Sequence, residues 1–157
     1  MNDKKLNNAI LLLGSNIDPE KNIIAALKLL GDLQKQSHIW KTKSYGADGP
    51  DFLNMAVEIQ TDLNLPQLKE SLIGCIEKML HRTRTENKNA PRTIDIDIIV
   101  FNSEVTDDDV WQKPFVAIPV AEIIPDLIND KTGGKLIEVA KKIQSSTNAE
   151  LYKNEIL

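Results

Sequence analysis

Two aspartates lie in a segment of the chain that otherwise has the composition of a β-strand. Asp95 and Asp97 alternate with isoleucines within residues 94–99, although aspartate is depleted in strands. Residues two apart on a strand point to the same face, about 7 Å apart, so the two carboxylates could share one or two hard cations. Two carboxylates completed by waters and substrate phosphates are the arrangement that Mg²⁺ favours. An Asp-x-Asp pair alone is a weak signal, and a solvated polar strand face is the alternative interpretation.

Three arginines, Arg82, Arg84 and Arg92, precede or flank this acidic pair. A guanidinium group binds phosphate through two parallel hydrogen bonds. Each arginine alone is typical of a protein surface. Three of them beside two carboxylates predict a site for phosphate and metal, because phosphoryl transfer depends on cations placed around the migrating group. The chain contains no glycine-rich Walker loop.

Alternating strands and helices must position these residues. Hydrophobic periodicity predicts strands at residues 9–14, 37–45, 52–61 and 94–101. One helix is predicted to begin at Asp18-Pro19, with the Asp18 side chain as its cap, and a second at Asn64. Two further helices are predicted at residues 119–125 and 135–143.

The same periodicity predicts which side chains face the core. Alternation along residues 52–61 turns one set of four inward: Leu53, Met55, Val57 and Ile59. In the second helix, the residues that recur near the helical period are expected to pack inward: Leu68, Leu72, Cys75, Ile76 and Met79.

The order of elements predicts an α+β fold, a ferredoxin-like α/β sandwich in which an antiparallel sheet has helices packed on one face. The opposite face would then be available for a ligand, and Phe52 and Asn54 would lie on it. The 157 residues, 41% of them hydrophobic, are expected to form a single domain over residues 1–157.

Composition limits the cellular setting. A net charge of -4 argues against a broad nucleic-acid surface. The longest apolar run, residues 9–13, is too short to span a bilayer, and residues 1–8 are too polar for a signal peptide. Cys75 is the only cysteine, so no internal disulfide can form. We therefore expect a cytoplasmic protein without a membrane or nucleic-acid partner, whose oligomeric state the sequence leaves open.

Four short stretches recur together in one known family. They are Gly14-Ser15-Asn16, Phe52-Leu53-Asn54, Glu77 to Arg84, and Pro91-Arg92-Thr93-Ile94-Asp95-Ile96-Asp97. In this order they resemble the 6-hydroxymethyl-7,8-dihydropterin pyrophosphokinases of folate biosynthesis. The likeness extends over about residues 10–127, and its last stretch is highly specific.

The resemblance implies an enzyme that moves the terminal pyrophosphoryl group of ATP onto the hydroxymethyl oxygen of a reduced pterin and releases AMP. ATP and the pterin are thus the expected partners. Two Mg²⁺ ions are expected to bridge the phosphates and the acceptor, with Asp95 and Asp97 as their ligands.

The resemblance also implies roles for individual residues. The implied catalytic residues are Asp95, Asp97, Arg82 and Arg92. The residues implied at the nucleotide are Glu77, Arg82, Arg84, Arg92 and Lys113. Phe52 and Phe115 are implied to stack on the pterin ring, and Asn54 to hydrogen-bond its edge, which suits a flat heterocycle.

Two loops are shorter here than in the family. The proline-containing loop that helps to close the pterin site is reduced to residues 46–50, and the family's Pro-His pair and arginine are replaced by residues 110–115. Lys113 can supply the arginine's charge but not its two-pronged geometry. An active enzyme with abbreviated loops is our first interpretation. The alternatives are a non-catalytic pterin or nucleotide sensor that lost its lid and, last, a sheet-based RNA-binding module.

Overall fold

A computed structural model describes residues 5–43, 50–80, 93–147 and 149–152. Among these residues, seven strands form one sheet in the order β6-β5-β1-β4-β3-β7, with β2 beside β4, and every pairing is antiparallel. The strands are β1 (Asn7–Ser15), β2 (Lys35–Gln36), β3 (Trp40–Thr42), β4 (Phe52–Thr61), β5 (Asp95–Phe101), β6 (Glu104–Val105) and β7 (Glu150–Leu151).

Five α-helical segments accompany the sheet. They are α1 (Pro19–Leu30), α2 (Leu65–Gln67), α3 (Gly74–Met79), α4 (Pro114–Ile123) and α5 (Leu136–Gln144). A π-helical segment, Leu68–Ile73, joins α2 to α3, and a 3-10 turn, Asp108–Trp111, precedes α4. None of the described helices is long and apolar enough to cross a bilayer.

Side chains of β1 alternate between two apolar layers. Ala9, Leu11 and Leu13 are buried on one side, which we call the first face, where α1, the π-helical segment and α3 cover the sheet. Ile10 and Leu12 are buried on the opposite side, the second face, under α4 and α5.

The predicted α+β fold with an antiparallel sheet is confirmed, but the expectation that helices pack on only one face is wrong. Strands β1 and β4 carry apolar side chains on both sides, so the second face also needs a covering layer. Buried Ala56 of β4 shows this, because it lies on the second face beside Leu12. Among the described residues, α4 and α5 thus leave only the part of the second face beyond them for a ligand.

The helical phase after Leu68 differs from the prediction. Leu68, Ile73 and Ile76 are buried, whereas Cys75 is exposed and the Met79 side chain is 56% exposed. The π-helical segment has more residues per turn than an α-helix, which rotates every following residue around the helix axis. The prediction that Cys75 and Met79 pack inward is therefore wrong.

Other element boundaries differ from the predicted ones. The capping box between Asn64 and Gln67 confirms the start of the second helix. Asp18 does precede α1, but its side chain makes no cap hydrogen bond. Helix α4 begins at Pro114 instead of residue 119 and contains Pro119 in its interior. The predicted strand 37–45 is shorter than expected: of its described residues, 37–43, only Trp40–Thr42 form a strand, and residues 44 and 45 lie outside the described part of the chain.

Candidate active site

The strand register brings four residues into one row across the second face, which we call the cross-strand row. Gly14 of β1 pairs directly with Asp95 of β5 on one side and with Asn54 of β4 on the other. Asn54 in turn pairs with Trp40 of β3. Directly opposed residues of antiparallel strands point to the same face, so the row places a carboxylate, a side-chain-free position, an amide and an indole side by side.

Glycine at position 14 lets the neighbouring side chains of β4 approach the backbone of β1. A Cβ atom at this position would lie 3.2 Å from Asn54 Oδ1 and 3.8 Å from Phe52 Cδ1. The first distance is tighter than ordinary contacts, so any larger residue would displace the amide.

Asn54 is held in a defined orientation. The residue is buried, and its Nδ2 donates a hydrogen bond to Thr42 Oγ1 at 2.7 Å. The Oδ1 atom then lies on the side of Gly14. Phe52, half-buried, lies two residues earlier on the same face of β4. An aromatic ring and an oriented amide on one face suit the binding of a flat, polar-edged heterocycle.

Asp95 and Asp97 lie on the same face of β5, where they pair with Gly14 and Leu12 of β1. Asp95 is partly buried and Asp97 is exposed. Ile96 between them points to the first face, where it is buried. The predicted common orientation of the two carboxylates is thus present in the structure.

Glu77 reaches the same strand from the other side of the sheet. Its carboxylate is buried, and Oε2 accepts a hydrogen bond from the backbone N–H of Ile96 at 3.3 Å. Among the described strands, β6 pairs with β5 only at Val100 and Phe101. Glu77 therefore accepts a backbone hydrogen bond from β5 at the residue between the two aspartates.

Metal binding here would depend on few protein ligands. In the part of the chain that the structure describes, no group of three or more His, Cys, Asp and Glu side chains is arranged to hold a metal. Two carboxylates on one strand face fit Mg²⁺, which keeps several waters and takes phosphate oxygens from its substrate. They do not fit Ca²⁺, which needs six to eight oxygen ligands.

The turn after β1 ties the ends of the two site strands together. Ser15 Oγ donates to Thr93 O at 2.5 Å and lies 3.1 Å from Ile17 O. Asn16 Nδ2 donates to Pro50 O at 3.2 Å. Both side chains are buried. The sequence indicated only a tight turn here, whereas these two residues fix the approaches to β5 and β4.

Helix α4 carries two further predicted residues on the second face. Lys113 is its N-cap residue and Phe115 lies in its first turn, and both are partly buried. Phe115 packs against the apolar layer of the second face. This is the face that carries Phe52 and Asn54.

The arginines lie outside the described residues. This applies to Arg82, Arg84 and Arg92, and their predicted roles stay predictions. Residues 46–49 of the shortened loop also lie outside the described part of the chain.

One polar cluster near the row was missed by sequence reasoning. Glu122 Oε1 accepts a hydrogen bond from Trp40 Nε1 at 2.6 Å. Its Oε2 accepts one from the backbone N–H of His38 at 3.0 Å and lies 2.7 Å from His38 Nδ1. The available signal was that Glu122 is the one charged residue in the sequence of α4.

Comparison with known proteins decides the family. The family model for 7,8-dihydro-6-hydroxymethylpterin-pyrophosphokinase (HPPK) matches residues 10–125. The chain belongs to the HPPK family. The match begins in β1 and ends just after α4, so it contains the whole cross-strand row and Phe115.

Relatives support this assignment. The 2-amino-4-hydroxy-6-hydroxymethyldihydropteridine pyrophosphokinase of Bacillus subtilis is 38% identical over 144 residues, which cover 82% of this chain and 85% of the relative. The protein of the same name from Methylorubrum extorquens is 34% identical over 147 residues, covering 84% of this chain and 90% of the relative. The resemblance to the HPPK family that the sequence motifs indicated is confirmed.

Solved structures support the fold. The crystal structure of wild-type Plasmodium falciparum HPPK-DHPS matches with a TM-score of 0.71 at 14% identity, covering 90% of this chain and 42% of the solved chain. The crystal structure of the Plasmodium falciparum HPPK-DHPS A437G variant with pteroate matches with a TM-score of 0.69 at 13% identity, covering 92% of this chain and 44% of that one. This chain spans less than half the length of these solved HPPK-DHPS chains.

Proposed function

We propose that this chain transfers the pyrophosphoryl group of ATP to the hydroxymethyl oxygen of 6-hydroxymethyl-7,8-dihydropterin, releasing AMP, in folate biosynthesis. The observation that carries this proposal is the cross-strand row. It sets Asp95, for the phosphate side, and Asn54, for the pterin side, on either side of Gly14. The family assignment supplies the chemistry that such a row serves.

The pterin is proposed to bind over β4. Phe52 and Phe115 stack on the two faces of the ring, and Asn54 hydrogen-bonds its edge. The Asn54–Thr42 hydrogen bond supports this role, because it fixes the amide before the ligand arrives. A site formed in advance loses less conformational entropy when the ligand binds.

The nucleotide is proposed to bind beside β5. Asp95 and Asp97 would hold Mg²⁺, two ions in our proposal, which when bound would offset the negative charge of the phosphates. Glu77, Arg82, Arg84, Arg92 and Lys113 are proposed to lie around the nucleotide. Glu77 is also proposed to hold the backbone of β5 in place between the two aspartates, through its hydrogen bond to the N–H of Ile96.

In the reaction, the hydroxymethyl oxygen attacks the β-phosphorus of ATP. A new oxygen–phosphorus bond forms, the bond from the β-phosphorus to the bridging α,β-oxygen breaks, and AMP leaves with that oxygen. The hydroxyl proton is released. The residues of this chain act by holding acceptor and phosphate in line and by offsetting charge, since phosphoryl transfer depends almost entirely on positioning and electrostatics.

A non-catalytic pterin sensor is the second candidate, and the shortened loop at residues 46–50 favours it. Binding a neutral pterin alone would not require two aligned carboxylates, however. The common face of Asp95 and Asp97, which pair with Gly14 and Leu12 of β1, therefore favours the enzyme. With Cys75 as the single cysteine, we also propose that the protein works in a reducing compartment, the cytoplasm.

The test is incubation of the full chain with ATP, MgCl₂ and 6-hydroxymethyl-7,8-dihydropterin, with AMP measured by chromatography. We expect AMP to form in equal amount with the pyrophosphorylated pterin. A matched acceptor, 6-methyl-7,8-dihydropterin, lacks the reacting oxygen and should yield no AMP. Pterin binding without AMP formation would favour the sensor, and no binding of either substrate would reject both functions.

A further inference from the structure

Glu122 occupies an unusual position for a carboxylate. Seven of the ten residues of α4 are buried, and Glu122 is the one charged residue in the helix. Its side chain is 26% exposed. Both of its oxygens are engaged by Trp40 and His38, so the carboxylate fastens the C-terminal half of α4 to β3 and the residues just before it.

This attachment acts on the part of α4 that carries Phe115. Glu122 follows Phe115 by seven residues, close to two full helical turns, so both lie on one stripe of the helix, about 10 Å apart. A helix fixed at one point of a stripe is fixed in its rotation about its axis. The attachment at Glu122 therefore helps to fix the rotation of α4 about its axis, and with it the side of the helix on which Phe115 lies.

Pro119 makes such an attachment more important. This proline lies inside α4, between Phe115 and Glu122. It has no N–H to donate to the carbonyl four residues earlier, which is that of Phe115, and an interior proline commonly kinks a helix. Contacts outside the helix must then hold its two halves in one arrangement.

The other end of the attachment lies beside the amide of the cross-strand row. Trp40 pairs directly with Asn54, so the indole and the amide share the second face. Glu122 thus joins the helix that carries Phe115 to the strand that flanks Asn54. On this geometry, one carboxylate fixes the distance between the two sides of the pterin site.

We propose that Glu122 is a positioning residue for the pterin site. Through its hydrogen bonds with Trp40 and His38 it holds α4 on β3. The distance between Phe115 on α4 and Phe52 and Asn54 on β4 then stays right for one flat ring to bind between them. The inference rests on the proposed function. It assigns Glu122 no contact with ATP, pterin or the reacting atoms, and it predicts that losing the attachment affects pterin binding before nucleotide binding.

The test compares Glu122→Ala, Glu122→Gln and Trp40→Phe in the full chain. Calorimetry measures the Kd for the pterin with MgCl₂ and a non-hydrolysable ATP analogue present, and separately the Kd for that analogue. For Glu122→Ala we expect the pterin Kd and KM to rise about tenfold and the nucleotide Kd to change less than about twofold, because only part of the free energy of the lost hydrogen bonds to Trp40 and His38 affects pterin binding. Glu122→Gln keeps one oxygen acceptor and should fall between Ala and the parent.

Trp40→Phe keeps an aromatic ring but removes the Nε1 donor. If Trp40 and Glu122 act through their shared hydrogen bond, the double variant Glu122→Ala/Trp40→Phe should be no worse than Glu122→Ala alone. Glu138→Gln, on the neighbouring helix α5, is the matched control for charge, and it should leave both affinities at the parental values.

Three results would distinguish a failure of the proposed function from a failure of the inference about Glu122. A parent protein that binds no pterin and forms no AMP would reject the proposed function itself. A parent that is active while Glu122→Ala binds pterin as tightly as the parent would overturn the inference alone. Equal losses of pterin and nucleotide affinity, accompanied by a lower Tm, would also overturn it, because they would show that Glu122 supports only overall stability.

Discussion

The two faces of the sheet differ in what their side chains contact, although the same strands form both. On the first face, β1 contributes Leu11 and Leu13 to one continuous apolar layer. On the second face, β1 contributes Leu12 to a similar layer and then Gly14, where the layer gives way to the polar row of Asp95 and Asn54. One strand therefore serves stability along its whole first face, and on its second face it combines stability with the ligand binding that we propose.

The largest expected effect is at the carboxylates of the second face. Asp95→Asn and Asp97→Asn each remove a proposed metal ligand and leave the apolar layers untouched, so we expect turnover to fall about a thousandfold at unchanged Tm. Steady-state AMP formation and circular dichroism measure the two properties. Asp108→Asn, an exposed aspartate of the 3-10 turn, is the control. Near-parental turnover of either variant at saturating magnesium would contradict the metal assignment.

The next effect is on stability, at the first face. Leu13 is fully buried, so Leu13→Ala should lower the free energy of unfolding by about 3 kcal/mol through lost burial and the cavity that remains. Pterin affinity, measured well below the Tm, should not change.

Leu12→Ala sharpens this test, because Leu12 is buried on the second face between Asp97 and Ala56. It should destabilise the protein similarly and also lower turnover. If Leu13→Ala lowered turnover as much as Leu12→Ala, the separation between the two faces would be wrong.

The sequence predicted which face of its strand a side chain lies on better than it predicted which residues of neighbouring strands are opposed. The strand at residues 52–61 was predicted with its correct bounds, and the period of two correctly placed Asp95 and Asp97 on one face. Periodicity cannot reveal which residues of neighbouring strands are opposed, because register depends on pairing over long sequence separations. The alignment of Asp95, Gly14 and Asn54 was therefore visible only in the structure.

Two errors have local physical causes. Cys75 was predicted to be buried because an α-helical period was assumed, and the π-helical segment Leu68–Ile73 changed that period. The attachment of Glu122 to Trp40 was missed because the two residues are 82 positions apart. The roles of the arginines in residues 82–92 stay predictions, since they lie outside the described chain.

A smaller effect is expected from the aromatic residues of the second face. Phe52→Ala and Phe115→Ala should each weaken pterin binding at least about fivefold, since a stacking contact contributes about 1 kcal/mol beyond its buried area. Nucleotide affinity is the internal control and should stay near the parental value. Equal losses for both ligands in calorimetry would indicate that the second face had unfolded locally.

Gly14→Ala examines the centre of the row. The added Cβ would lie 3.2 Å from Asn54 Oδ1, so the amide must move by a few tenths of an ångström, and we expect pterin affinity to fall about fivefold, as for one impaired hydrogen bond. Gly74→Ala in α3 is the control, because its Cβ would make an ordinary contact at 3.5 Å. Parental pterin affinity in Gly14→Ala would argue that Asn54 does not bind the pterin.

The smallest effect is expected at Lys113, where the second face meets the start of α4. Lys113 caps α4 through its backbone carbonyl, which accepts hydrogen bonds from Val116 and Ala117, and its side chain makes no cap hydrogen bond. Lys113→Ala should therefore leave the helix intact. It removes one positive charge proposed to lie near the triphosphate, so turnover should fall about threefold, within the range of a partly screened ion pair. Pterin affinity should fall less than turnover.

Lys135 provides a closely matched control for this last prediction. It is also the N-cap residue of its helix, α5, and it also lacks a side-chain cap hydrogen bond. Lys135→Ala should leave turnover unchanged, because its ammonium group pairs with Asp126 at 3.7 Å and neither residue belongs to the proposed site. Lys113→Arg should retain turnover, since it keeps the charge and adds the planar geometry that suits phosphate. Unaltered AMP formation by Lys113→Ala would show that this residue does not replace the family's arginine.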